Sequence, residues 1–316
     1  MMNNEESNPL ISVLIPSYNH ASFIKETIHS IWNQNYNNIE IIITDDRSTD
    51  NTVEILNELK QSTPFPMYII VNEKQLGIAG NCNAAISHAK GKFVCFLASD
   101  DMLMPNRFDK QIDFFKKNEN LKILINNGYV YEGTITSELV HRNKAATLFK
   151  KNAVEIAEYL QTNSIPLFIQ AILIRTDFLR EVGGFDETVI ADDWLLFTRI
   201  FDYIAKNGGD FLFYDEPVFL YRVHSTNIHK DFERQSRLKI DFIENVTPLH
   251  LKRKASANIY SKLAIQAISL LRFNDGISFY VKSQRAKFNI FYTVKFIKKL
   301  LSTYLISFFK KRNDTK

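Results

Sequence analysis

GKFVCFLASDDMLMP, residues 91–105, runs from an uncharged apolar stretch into two adjacent carboxylates and then a proline. The segment 91–99 reads as a strand. Its residues do not alternate between apolar and polar, which is the pattern of a strand covered on both faces. Asp100 and Asp101 stand at its mouth. An unpaired carboxylate is expensive to bury. Acids in such a place either bind something or open the following helix, whose first turn would suit Pro105.

The same rhythm extends outward on both sides. ISVLIPSY (11–18) is a buried strand stopped by Pro16, and 21–34 carries Ile24, Ile28 and Ile31 at helical spacing. IEIIIT (39–44) is a second strand that ends in Asp45 and Asp46. Ser48, Thr49 or Asp50 then caps a helix running to about Lys60. MYIIVN (67–72) is a third strand, and 78–89 a helix rich in small residues. Four strand–helix alternations with apolar strands predict a mostly parallel sheet clothed by helices on both faces. Ligands of such sheets bind beyond the carboxyl ends of the strands. Ser17-Tyr18-Asn19, Asp45-Asp46, Asn72 and Ser99-Asp100-Asp101 all fall there. Beyond residue 121 the rhythm weakens: 121–133 reads as a strand and turn, 169–174 and 211–221 as strands, and 191–206 as a helix. From about 235 the chain reads as helical to its end.

The 316 residues are 45% hydrophobic and 23% charged, ordinary for a globular protein with one large or two smaller domains. Two cysteines, Cys82 and Cys95, make no disulfide framework and suggest a reducing compartment. The polar start MMNNEESNPL is unlike a secretory signal, and no uncharged apolar run is long enough to span a bilayer. There is no G-x-G-x-x-G, no P-loop, no structural zinc spacing and no G-x-S-x-G. What remains is a set of acids at strand ends. Such acids can hold Mg²⁺ or Mn²⁺, which takes one or two carboxylates and completes its shell from substrate phosphates. The ion then neutralises charge on a departing diphosphate.

VLIPSYNH, IIITDDRSTDNT, GKFVCFLASDDMLMPNRF, EVGGFDE, ADDWLLFTRI and YRVHSTN occur in this order between about 11 and 229. Together they resemble the family 2 glycosyltransferases, inverting enzymes of the GT-A fold found in bacterial surface-polysaccharide synthesis. The resemblance implies a nucleotide-sugar donor, a divalent metal (Mn²⁺ or Mg²⁺) and inversion at the anomeric carbon. Carried over, Pro16, Tyr18 and Asn19 line the nucleoside pocket and Asp46 hydrogen-bonds the base. Ala98-Ser99-Asp100-Asp101 stands where the family has Asp-Ser-Asp-Asp, so the first acid is missing; Asp100 is expected to hold the metal with Asp101 in support, and Ser99 to face the donor. Asn83 matches a donor-binding Asn, while Cys82 stands where many relatives have Arg. Asp193 matches the catalytic aspartate and Asp192 its preceding acid; the family position of His224 implies contact with the diphosphate or the metal, with Arg222 adding positive charge. An inverting transfer needs a base opposite the leaving group, and a carboxylate at a helix N-terminus is well held for that task.

The C-terminal segment reads differently. Residues 285–316 hold nine Lys or Arg and one Asp, a net +8, which leaves −4 on the rest of a chain of net +4. Ile290, Val294, Ile297, Leu301, Leu305 and Phe308 share one helical face, with Lys295, Lys298 and Lys299 on another. A basic amphipathic helix suits an anionic membrane surface; packing within the protein is the alternative. The expected organisation is a catalytic domain over 1–230 and a helical region over 231–316. It would act in the cytoplasm on the inner face of the cell membrane, on a glycan or lipid-linked acceptor. Nucleic-acid binding has no supporting groove or motif. A non-catalytic nucleotide-sugar or glycan-binding protein on the same fold is the rival reading. Nucleotidyl transfer ranks below both, for want of a Gly-rich basic loop near the first strand.

Overall fold

The computed structural model describes residues 8–189, 193–225 and 231–313, the side chains of residues 143 and 307–313 excepted. Two compact units make up the chain. The first holds Met1–Ala157, Pro166–Thr188 and Asp192–Asn227; the second holds Glu158–Ile165, Val189–Ala191 and Ile228–Lys316.

A nine-stranded sheet organises the first unit. Its strands are β1 (Ile11–Ser17), β2 (Ile39–Asp45), β3 (Met67–Val71), β4 (Phe93–Phe96), β5 (Met102–Leu103), β6 (Leu121–Tyr131), β7 (Ile135–Leu139), β8 (Ile172–Arg175) and β9 (Asp210–Arg222). They lie in the order β3-β2-β1-β4-β8-β6-β9-β5, with β7 paired to β6. The first four strands pair in parallel, as their unbroken apolar runs predict. All seven residues of β2 are buried. Val13, Ile15, Ile41, Ile43 and Cys95 pack on Ile24, Ile28 and Ile31 of the helix Ile24–Trp32.

Beyond β4 the sheet is mixed. β8 runs antiparallel to β4 and β6, while β9 runs parallel to β6. β1, β2, β4, β6 and β9 therefore all end on one rim. The antiparallel β8 begins on that rim, which brings the turn Ile169–Ala171 there as well.

The glycine that opens the quoted stretch has a packing reason. A Cβ on Gly91 would lie 2.6 Å from the Ser12 backbone nitrogen. Its own N–H donates to Ser12 Oγ at 2.8 Å and to the buried Glu40 carboxylate at 3.2 Å. The strand after it is shorter than 91–99. The helix that follows spans Arg107–Lys117, with Asn106 in the left-handed cap position (φ 58°). Pro105 thus precedes the helix, and Asp100 and Asp101 do not cap it. Met102 and Leu103 instead form β5 against Leu220 and Phe219 of β9, a pairing too short to show in a sequence pattern. Asp50 does serve a turn: it accepts from the N–H of Thr52 at 3.1 Å, where the helix Thr52–Lys60 starts.

The second unit is helical over Phe232–Asp241, Lys252–Ser269, Phe273–Ala286 and Ile290–Asn313. In the last helix Phe296 is buried against Ala264 and Ile268. Ile290, Val294, Ile297, Leu301 and Leu305 are each at least 46% exposed. Among the described residues, no helix is long and apolar enough to cross a membrane.

Candidate functional site

Asp100 and Asp101 lie in the turn between β4 and β5 and face in different directions. Asp101 turns inward and is 1% exposed. It accepts from the Arg222 N–H at 2.9 Å and from Gln170 Nε2 at 2.7 Å. Burial, and then the charge of Asp100, push its carboxyl well above the usual range against the pull of those hydrogen bonds. Asp101 is therefore a bracket joining the β4 loop, β9 and the 169–171 turn, and not a group presented beside Asp100.

Asp100 faces the rim. Its Oδ2 lies 3.0 Å from His224 Nε2 and 3.9 Å from His20 Nε2. His20 Nδ1 is 2.6 Å from Ser99 Oγ, and Phe23 lies under the His224 ring at 4.6 Å between centroids. Thr27 Oγ1 donates to the carbonyls of Ser99 and Asp101, which fixes the turn that carries Asp100. Burial lowers the pKa of His20, partly opposed by Asp100.

The other expected donor contacts are placed as follows. Tyr18 is 44% exposed beyond β1, next to the half-buried Pro16. Asn19, at φ 53°, accepts from the Thr49 N–H at 2.7 Å and ties the β1 loop to the β2 loop. Asp46 receives the N–H groups of Leu76 and Gly77 at 2.7 and 2.9 Å and the Asn72 amide at 3.0 Å. It holds the start of the helix Gly77–His88 against the rim. The Asn83 amide is engaged by both backbone groups of Phe185 and by Glu187. It clamps the GGFDE loop rather than projecting into the crevice. Ser99 is buried, with its hydroxyl on His20. The Arg222 guanidinium also turns inward: Nε donates to the Asp100 carbonyl at 2.8 Å and a terminal nitrogen to Glu26 at 2.7 Å. It braces the loop instead of facing a diphosphate.

Asp193 is the first residue of the helix Asp193–Asn207, and its Oδ2 lies 3.4 Å from the Ile169 nitrogen. Asp192 lies outside the described residues. Tyr221, on β9, packs edge-on against Phe168 at 5.0 Å between centroids. Burial, then Asp101, Asp100 and Asp193 in turn, raise its pKa above the usual value. His20, Gln170 and Tyr221 escaped the sequence reading. His20 and Tyr221 left a trace in sequence only as the last residue of VLIPSYNH and the first of YRVHSTN.

Among the described residues, no group of three or more His, Cys, Asp or Glu side chains is arranged to hold a metal ion. The pair Asp100 Oδ2 and His224 Nε2 nevertheless fits an ion that draws its remaining ligands from a diphosphate, since oxygen and imidazole donors both suit Mn²⁺-type cations.

The family described as Glycosyl transferase family 2 matches residues 12–183. The chain is 41% identical over 107 residues to the UDP-Glc:alpha-D-GlcNAc-diphosphoundecaprenol beta-1,3-glucosyltransferase WfaP of Escherichia coli, covering 34% of this chain and 41% of that protein. Among solved structures it resembles S. aureus TarS 1-349 in complex with UDP-GlcNAc. That likeness has a TM-score of 0.56 and 16% identity, over 87% of this chain and 90% of the other. It also resembles the mannosyltransferase PcManGT from Pyrobaculum calidifontis in complex with GDP-Man and Mn²⁺. There the TM-score is 0.57 and the identity 18%, over 92% and 87% of the two chains. Alignments with the first curated relatives span only 36%, 42%, 62% and 60% of those proteins' own lengths.

Proposed function

The chain belongs to glycosyl transferase family 2, with its α/β GT-A fold, and on that footing we propose that it moves a sugar from a nucleotide-sugar, with UDP the favoured nucleotide, to a glycan or lipid-linked acceptor, with inversion. The observation that carries this reading is the 169–171 turn, whose Ile169 nitrogen lies 3.4 Å from Asp193 and whose Gln170 amide donates at 2.7 Å to Asp101, the neighbour of Asp100. It brings an acid suited to the leaving group and an acid suited to the attacking hydroxyl to one crevice.

In this reading the nucleoside lies over Pro16, Tyr18 and Asn19, beside the loop that Asp46 secures. Mn²⁺ or Mg²⁺, held by Asp100 and His224, would neutralise charge on the departing diphosphate. Asp193 accepts the proton of the acceptor hydroxyl as it attacks from the face opposite the diphosphate. Asp192 would assist there. Asp101, Ser99, Asn83 and Arg222 act through the groups they hold. The experiment is release of nucleoside diphosphate from UDP-, GDP- and dTDP-sugars with Mn²⁺ or Mg²⁺, repeated with EDTA. Turnover of one donor that stops with EDTA supports the reading. Binding without turnover, given an acceptor mixture, would favour the non-catalytic alternative.

Residues 1–230 would form the catalytic domain and 231–316 a helical region that rests on the inner face of the cell membrane. Two facts support this. The exposed apolar stripe from Ile290 to Leu305 lies next to Lys295 and Lys298, both exposed, and the half-buried Lys299. The acceptor named for the Escherichia coli relative is diphosphoundecaprenol-linked, which suits lipopolysaccharide, O-antigen or capsule synthesis. A basic residue near an anionic surface contributes about 1 kcal/mol, so reversing all three lysines to Glu should weaken binding to anionic vesicles by at least roughly a hundredfold. Removing 285–316 should abolish it. Unchanged sedimentation of both variants with phosphatidylglycerol vesicles would reject the membrane assignment.

A further inference from the structure

A diphosphate needs hydrogen-bond donors or positive groups around it; of two expected ones, one is replaced and the other is engaged elsewhere. Cys82, which stands where many relatives have Arg, is fully buried. The Arg222 guanidinium is directed onto the Asp100 carbonyl and Glu26. His20 stands in a different position, on the loop that leaves β1 and beside the acid at the mouth of β4.

The residue is held from three sides, its ring from two. The His20 backbone N–H donates to Thr52 Oγ1 at 2.9 Å. Nδ1 meets the buried Ser99 hydroxyl at 2.6 Å, and the ring sits edge-on to Phe23 at 5.8 Å. Nε2 is left facing Asp100 Oδ2 at 3.9 Å. That is too long for a hydrogen bond but short enough for both groups to meet a third. The His224 ring stands nearly perpendicular to it, with centroids 6.2 Å apart, so two imidazoles frame one carboxylate oxygen. The His20 side chain keeps 25% of its surface open to solvent. When the Ser99 hydroxyl donates to Nδ1, the proton resides on Nε2, the nitrogen that the Asp100 charge favours. Nε2–H is then a fixed donor at the place where Asp100 and His224 would hold the ion.

We propose that His20 is a diphosphate-binding residue, donating from Nε2 to a phosphate oxygen of the nucleotide-sugar beside the Asp100–His224 pair. This rests on the donor assignment made above. It adds a recognition group that does the work expected of a basic residue at position 82.

The test measures binding of UDP, GDP and dTDP, and of the matching nucleosides, by calorimetry in the presence of Mn²⁺. Wild type is compared with His20→Gln and His20→Phe. For whichever diphosphate the wild type binds, both variants should bind it about tenfold more weakly and bind its nucleoside unchanged, because the nucleoside lacks the group that His20 holds. Retained nucleoside binding also shows that the variants are folded. Equal loss for nucleoside and diphosphate, or no loss for either, overturns the His20 assignment alone. A wild type that binds none of the three diphosphates overturns it together with the proposed function.

Discussion

Replacing Asp100 with Asn should lower sugar transfer by roughly a thousandfold while leaving the protein folded. The estimate follows from the charge removed. Ion-mediated stabilisation of a leaving group amounts to several kcal/mol, and about 4 kcal/mol corresponds to three powers of ten in rate. Asn keeps the shape of the side chain and one oxygen for His224, so the loss reports charge and not packing. The loop itself is secured elsewhere, by Thr27 on the Ser99 and Asp101 carbonyls and by Arg222 on the Asp100 carbonyl. The check is initial rate of transfer against Mn²⁺ concentration, beside thermal unfolding. A variant with wild-type rates across the titration would remove Asp100 from the chemistry. Wild-type rates only at raised Mn²⁺ would instead identify Asp100 as an affinity group whose charge is dispensable for the transfer step.

Asp193→Asn should act on a different term. Loss of a general base slows a reaction by about a hundred- to ten-thousandfold. The fall should lie in kcat, with the dissociation constant of the nucleoside diphosphate unchanged, because the proposed role of Asp193 is toward the acceptor and not the donor. The amide can still accept from the Ile169 N–H, which lies 3.4 Å from the carboxylate, so the helix start is preserved. Steady-state kinetics with the turned-over donor, paired with calorimetry for the diphosphate, separates the two effects. If donor affinity falls and kcat holds, Asp193 belongs to donor recognition and the base lies elsewhere.

Most of the first half of the fold was legible, and the reason is burial. β1, β2 and β4 are covered on both faces, so each announces itself as an apolar run. The sequence held no comparable signal for β5, two residues long, or for the antiparallel insertion of β8 between β4 and β6. Strand order depends on contacts between residues far apart in sequence, which periodicity does not record. The site was legible as a set of strand ends but not as a set of directions. Asp100 and Asp101 look alike in sequence, yet one faces His224 and the other is walled in by Gln170 and Arg222. Asn83 and Arg222 matched family positions, yet Asn83 is engaged by the Phe185 backbone and Glu187, and the Arg222 guanidinium donates to the Asp100 carbonyl and Glu26. Gln170 gave no signal, because its importance comes only from the carboxylate it meets.

The order of strands in the sheet has a consequence for how the chain is made. Asp100 follows β4 and His224 follows β9, and the two strands are separated in the sheet by β8 and β6. A ribosome that has released only the first four strands has produced a covered parallel sheet without its second imidazole, its helix-borne Asp193 or the Gln170 bracket. The Asp100–His224 pair can form only after β9 has slotted in beside β6. A nascent or C-terminally clipped chain ending before residue 224 should therefore lack the Asp100–His224 pair on which the proposed transfer depends, even though Pro16, Tyr18 and Asn19 are already in place.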